Sequence, residues 1–278
     1  MDTLCLDAIG YEFLSEGFMH KVYKKDKYIY KLVKPQFREV YNKSSHFKKE
    51  KTNLNLLKKH GIPTPREVEI LNKGELLPED YILKEEYVEG NVYSRENVTE
   101  KQVETILDLL DQIGKIDIDF FGINLDKNCC DTWESYMDSQ YEDAKTVLHK
   151  TGEICDLNGI IKYFRKNYRY TGIPKCLVFD PNESNYIFDD CGNIRAIIDV
   201  DHLMGGDPLW QLGCILYHRP QYYKIISKRN TKNMDTIKIY ALLNGFNDIH
   251  FRMVSSNESL EFYITQFSDF LKFINFSF

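Results

Sequence analysis

The chain has 278 residues, of which 43% are hydrophobic, 14% aromatic and 28% charged, and its formal net charge is −6. Ordinary glycine and proline content and plentiful aromatics exclude collagen-like, disordered and coiled-coil classes, and no apolar run approaches the roughly 20 residues of a membrane-spanning helix. The acidic balance disfavours a sequence-independent nucleic-acid binder, which needs a basic face.

From Tyr11 to Lys34 the pattern is strand, turn, strand. Val22-Tyr23 and Tyr28–Val33 are β-prone, the polar Lys24–Lys27 lies between them, and Pro35 ends the second strand. A helix is predicted over about His46–His60, with Leu54 and Leu57 at helical spacing, Gly61 as its stop, and Pro63 and Pro65 beyond it. Two short strands follow, at Glu67–Leu71 and Tyr81–Leu83. At Glu86-Tyr87-Val88-Glu89-Gly90 the β-rich part gives way to helices, so the domain boundary is expected there, dividing 1–90 from 91–278. Helices are predicted over Val98–Ile116, from Trp133 towards Leu148 behind Asp131-Thr132, over Leu157–Tyr168 and over Leu260–Phe276. Lys and Arg number 16 against 15 Asp and Glu in residues 1–90, but 20 against 27 in 91–278. The acidity therefore lies in the second part, either for solubility or to attract a cationic substrate. Seven Cys with no CxxC pair fit reduced thiols in the cytoplasm.

One segment, Cys176 to Asp201, carries a chemical pattern. Asp190-Cys191-Gly192-Asn193 is a turn signal between two β-prone runs, so residues 186–198 are predicted to fold as a hairpin. The start of the first strand then lies beside the end of the second, which brings Asn185 to Asp199 with facing Cβ atoms about 5 Å apart. Asp180 stands five residues before Asn185, on the loop entering the hairpin. Two carboxylates and a carboxamide suit a hard divalent cation with a carboxylate to spare for a proton. The alternative is a loop whose Asp and Asn merely cap turns.

In these residues the chain resembles the aminoglycoside phosphotransferase and choline kinase superfamily of small-molecule kinases. Asp180 and Asn185 match the Asp and Asn of its His-Gly-Asp-x4-Asn loop, and Asp199 in Ile197-Ile198-Asp199-Val200-Asp201 matches its metal-binding Asp. Gly206-Asp207-Pro208 and the following Leu209–Gly213 match a structural segment downstream. Lys31 is similar to the strand lysine that binds nucleotide phosphates, with Lys34 as a rival. Glu50 is similar to its helix partner, with Glu39 as a rival. Ser15 to His20 stand at the phosphate-covering loop, and Glu86 to Val88 at the hinge against the purine. Two departures stand out: Val178-Phe179 replaces His-Gly, and the covering loop has one glycine and no GxGxxG.

The resemblance implies an α+β, bilobal protein-kinase-like fold, with a small β-rich N-lobe, a larger helical C-lobe and a catalytic β-hairpin. It implies Mg²⁺-dependent transfer of the γ-phosphate of ATP or GTP to a hydroxyl. Asp180 acts as the base, Asn185 and Asp199 hold metal, and Lys31 binds phosphates. The acids nearest the loop, Glu183 and Asp201, favour a cationic acceptor such as an aminoglycoside, the reaction of antibiotic resistance. Choline, homoserine and amino-sugar kinases, and a catalytically silent nucleotide-binding module, are the alternatives. The expected partners are a nucleoside triphosphate and a small molecule, with no nucleic acid and no membrane, in a monomer or homodimer.

Overall fold

The computed structural model describes residues 6–123, 130–152, 155–255 and 260–274. In chain order the strands and helices are β1 (Glu12–Glu16), β2 (His20–Lys25), β3 (Tyr28–Val33), α1 (Arg38–Tyr41), α2 (Ser44–Lys59), β4 (Val68–Leu71), β5 (Ile82–Glu86) and β6 (Asn91–Val92). Then come α3 (Glu100–Ile113), β7 (Gly122–Ile123), α4 (Trp133–Thr151), α5 (Leu157–Asn167), β8 (Lys175–Val178), β9 (Tyr186–Phe188), β10 (Ile194–Ile197) and β11 (Leu203–Gly206). The remainder is helical: α6 (Leu209–His218), α7 (Tyr223–Arg229), α8 (Met234–Ser255) and α9 (Leu260–Ile274). The predicted helices over 98–116, 157–168 and 260–276 are all present with ends shifted by a few residues; residues 275 and 276 lie outside the described residues. No helix among the described residues is long and apolar enough to cross a membrane.

The chain divides into two compact units, Met1–Ile106 with Glu183–His202, and Leu107–Asn182 with Leu203–Phe278. Against the sequence boundary at residue 90, the first unit thus runs on to Ile106 and takes in a segment from far along the chain. The reason is strand pairing: β6 adds to the β9–β10 hairpin, with Asn91 opposite Phe188 and Val92 opposite Ile187.

Five antiparallel strands in the order β1-β2-β3-β5-β4 form the main sheet of the first unit. A two-residue turn, Asp26-Lys27, joins β2 to β3, and Asp26 takes φ 55°, the left-handed conformation such turns demand. The second strand of this pair is aromatic and β-branched, Tyr28-Ile29-Tyr30-Lys31-Leu32-Val33, and its last four residues are buried. Helix α2 stops at Gly61, whose φ of 76° lets its N–H reach Lys58 O at 3.0 Å while the Ile62 N–H reaches Leu57 O at 3.1 Å. Gly90 has a different reason for lacking a side chain: a Cβ there would stand 2.4 Å from Phe188 O.

The second unit packs its helices around rings. Trp133 and Trp210, 3% and 1% exposed, meet edge-on at 5.7 Å, and Trp210 meets Tyr240 at 5.3 Å. Both tryptophans are core residues. Buried Asp207 accepts from Tyr168 Oη at 2.5 Å, Tyr240 Oη at 2.7 Å and Leu209 N at 3.0 Å, and Trp133 Nε1 donates to Tyr240 Oη at 2.9 Å. Asp207→Ala strands two buried hydroxyls and the first turn of α6. The expected loss of stability is about 3 kcal/mol, read from the urea midpoint.

Candidate active site

The site begins with a lysine in the middle of a sheet. Lys31 is flanked by Val22 on β2 and Leu83 on β5 and is 4% exposed. A charge there requires partners, and three carboxylates supply them. Glu50 Oε1 lies 2.5 Å from Nζ, Asp199 Oδ1 at 3.4 Å and Glu85 Oε2 at 3.7 Å. Burial works against the ammonium, but Glu50, Glu85 and Asp199 together outweigh it and raise the Lys31 pKa well above the ordinary value. Burial pushes Glu50 and Glu85 upward as well, with Lys31 opposing the shift in each. Lys31 is therefore the fixed cation, and the two buried glutamates are the acids whose ionisation burial opposes.

Lys34, the rival to Lys31, pairs instead with Glu16 at 2.6 Å, and Glu39, the rival to Glu50, is exposed on α1. Glu50 is wholly buried on α2. One turn further along the same helix, Asn53 Nδ2 donates to Val200 O at 2.8 Å and Asp201 O at 3.1 Å. Residues three apart share a helix face. So α2 holds the strand lysine with one side chain and the backbone after Asp199 with the next.

The β9–β10 hairpin folds as its turn residues require. Asp189 Oδ1 accepts from Cys191 N at 2.9 Å and Asn193 N at 2.8 Å, and Gly192 has φ 85°. At the open end Ile198 N donates to Asn185 O at 2.9 Å, which sets Asn185 beside the residue preceding Asp199. Asp199 itself has φ 58°, a conformation a non-glycine residue holds at a cost of about 1–3 kcal/mol and only when its surroundings enforce it. The Lys31 ammonium and the anchoring of Val200 and Asp201 by Asn53 are those surroundings. Asn185 is 8% exposed, whereas the Asp199 side chain is 47% exposed.

The other expected residues of this unit fall as follows. Ser15 lies on exposed β1 opposite Val22, and the β1–β2 turn closes with Gly17 N donating to His20 O at 2.9 Å. The His20 ring points inward, its Nε2 3.1 Å from His46 Nε2, against Phe47. Glu86 ends β5, its carboxylate accepting from Arg66 N at 2.8 Å. Tyr87 N donates to Lys27 O at 2.8 Å, but among the described residues no backbone group pairs with Val88. Glu183 is 3% exposed and offers no carboxylate to solvent, which argues against its expected part in holding an acceptor. Asp201 is half-buried and bonds His202 Nδ1 at 2.9 Å.

Burial, with the charges of Lys31 and His46, lowers the His20 pKa from 6.5 to about 4. The unfolded chain thus takes up a proton near pH 6.5 that the folded chain refuses until about pH 4. Stability is complete above 6.5 and declines as pH falls from 6.5 to 4, by about 3 kcal/mol from this residue. Urea midpoints of wild type and His20→Gln at pH 7 and pH 5 check it; the variant has the shallower slope.

Asp180 belongs to the second unit. It stands two residues beyond the end of β8, which pairs antiparallel with β11, Val178 opposite Leu203. Asp180 is exposed and Pro181 after it is buried. Among the described residues, no group of three or more His, Cys, Asp or Glu side chains could hold an ion unaided. An Asn and one Asp form the smaller oxygen set that Mg²⁺ takes when phosphates complete its shell.

Glu85 and Asn53 escaped the sequence reading. The predicted strand stops at Leu83, but β5 runs to Glu86 because Ile29 and Val68 pair with Glu85 from either side. A signal was present in that an acid at the end of an apolar strand faces inward whenever the alternation continues.

No protein-family model and no curated protein matches the chain. Solved structures do. Aminoglycoside phosphotransferase APH(4)-Ia superposes with a TM-score of 0.70 at 16% identity, over 95% of this chain and 93% of that one. The GDP complex of aminoglycoside 2'-phosphotransferase-IIIa gives 0.65 at 11% identity, over 96% and 93%. This chain has the protein-kinase-like fold of the aminoglycoside phosphotransferases. A Haemophilus somnus 129PT protein assigned as a fructosamine-3-kinase shares it at 0.60 and 16% identity, over 94% of this chain and 90% of that one. The expected α+β class, with its β-rich first part, helical second part and hairpin, is thereby borne out.

Proposed function

We propose that the chain is a Mg²⁺-dependent phosphotransferase that moves the γ-phosphate of ATP or GTP to a hydroxyl of a small, cationic acceptor, with aminoglycosides the first class to test. One observation carries this reading: a buried sheet lysine is held by a helix glutamate and stands 3.4 Å from a carboxylate on a hairpin end that also bears Asn185. A strained, half-exposed aspartate as the third member of a buried ion pair fits phosphoryl transfer, in which such an acid holds metal at the phosphates. Solved structures of this fold at low identity include APH(4)-Ia with AMP-PNP and hygromycin B, which supports a nucleotide donor.

In this reading the first unit handles the donor. Lys31, fixed by Glu50, neutralises the α- and β-phosphates as a point charge. The Ser15–His20 turn covers them, and the Glu86–Val88 backbone meets the purine. Asn185 and Asp199 hold Mg²⁺, which when bound disperses charge on the phosphate oxygens. The second unit contributes Asp180, which accepts the acceptor hydroxyl's proton. The freed oxygen bonds to the γ-phosphorus as the bond from that phosphorus to the bridging oxygen breaks, and the nucleoside diphosphate leaves with the electron pair. The half-buried carboxylate of Asp201 meets the acceptor's amines. Cys176, Cys191 and Cys214 form no disulfide, which suits a reducing compartment.

The test is transfer of γ-³²P from ATP or GTP with Mg²⁺ to aminoglycosides, choline, homoserine and amino sugars. Transfer by wild type that is lost in Asp180→Asn supports the reading. If neither protein transfers while both bind nucleotide equally, a catalytically silent nucleotide-binding module replaces it. Should saturating Mg²⁺-nucleotide leave Tm unchanged, no nucleotide function stands at all.

A further inference from the structure

The loop that carries Asp180 is held by side chains spaced along α6 and its C-cap. Val178 N donates to Gln211 Oε1 at 3.3 Å, and Gln211 Nε2 donates in turn to Leu110 O at 3.3 Å. Cys214 Sγ lies 3.8 Å from Phe179 O. Beyond the aspartate, Arg219 Nη2 donates to Asn182 Oδ1 at 2.7 Å, while Nη1 of the same guanidinium donates to His218 O at 2.9 Å. Asp180 is thus bracketed, with two anchored residues before it and one after.

These bonds are unequal. A thiol on a carbonyl is weak, and the Gln211 contact is long. The Arg219–Asn182 bond is short and charge-assisted, and the second arm of the guanidinium is fixed on backbone, so the fork cannot swing. The Arg219 backbone is tied too, with its N–H on Ile215 O at 2.7 Å and its carbonyl accepting from Tyr222 N at 3.0 Å. Between Asn182 and Asp180 stands only Pro181, whose ring locks φ. A fixed Asn182 therefore leaves Asp180 little freedom. Asp180 and Arg219 also act with opposite sign on the same thiol, Cys214, which burial pushes upward.

Resting on the reading of Asp180 as the base, we propose that Arg219 is a positioning residue that sets the catalytic loop through Asn182. In this role it acts on the loop, fixing where the Asp180 carboxylate stands. A displacement of about 1 Å at a reacting group costs about 10²-fold in rate.

Arg219→Ala and Asn182→Ala remove the same bond from opposite sides. Each is expected to lower kcat about 10²-fold, with nucleotide affinity and KM within twofold of wild type, and the double variant to lose no more than either alone. Guanidinium chloride at about 50 mM restores part of the rate to Arg219→Ala and none to Asn182→Ala. Hydrogen exchange of the 179–183 amides speeds up in both variants while α6 keeps its protection. A kcat within twofold of wild type, additive losses, or unchanged exchange over 179–183 overturns the proposal. If Arg219→Ala fails to fold, Asn182→Ala carries the same readouts. Should wild type transfer nothing to any acceptor, the enzymatic reading fails, whereas the exchange measurement still decides whether Arg219 holds the loop.

Discussion

Asp180→Asn lowers kcat by about 10²–10⁴-fold and leaves nucleotide binding where it was. The side chain is exposed on a loop whose flanks are fixed by Gln211, Cys214 and Arg219, so an isosteric amide changes no packing. It removes the capacity to take a proton from the acceptor while keeping the shape of the side chain. Steady-state rates for both proteins, with nucleotide Kd from calorimetry, check it. Tm equal to wild type confirms that the fold is untouched. A variant that keeps its rate transfers the role of base elsewhere.

Lys31→Met is expected to destabilise the protein by about 3–5 kcal/mol, because it leaves the buried carboxylates of Glu50 and Glu85 without a counter-charge. A methionine fills the volume, so packing contributes little to the loss. Nucleotide affinity falls with it. The triple variant Lys31→Met, Glu50→Gln, Glu85→Gln separates the two effects: stability returns in large part, while nucleotide binding does not. Urea denaturation and nucleotide titration on the three proteins measure both. If Lys31→Met unfolds at the wild-type midpoint, the glutamates are neutral without the lysine and the ionic account of this site is wrong.

Much of this was readable from residue order, where the responsible physics is local. The β9–β10 hairpin follows from Asp189 to Asn193 capping their own turn, and its pairing brings Asn185 beside Ile198 whatever the rest of the chain does. The lysine of β3 and the stop of α2 at Gly61 are equally local. Asn53 and Arg219 were not readable, and Glu85 was readable only as an inward-facing acid, because each takes its meaning from a partner distant in sequence. Glu85 and Lys31 are 54 positions apart, Asn53 meets a backbone 147 residues away, and Arg219 reaches back 37. Charged or amide side chains at such places look like surface in a one-dimensional pattern. The limit of the first unit was hidden for the same reason, since β6 completes its pairing only with strands from the far side of β8.

That first unit is assembled from two stretches of chain, residues 1–106 and 183–202. On the ribosome the five-stranded sheet and α2 emerge early, with Lys31, Glu50 and Glu85 ready to close together, yet Asn185, Asp199 and the backbone that Asn53 binds are still unmade. At roughly 5–20 residues per second, synthesis from Ile106 to His202 occupies about 5–20 s. For that interval the nascent protein carries an unfinished half-site and an open edge on β6. The pairing of the first unit is therefore completed only after synthesis has passed His202.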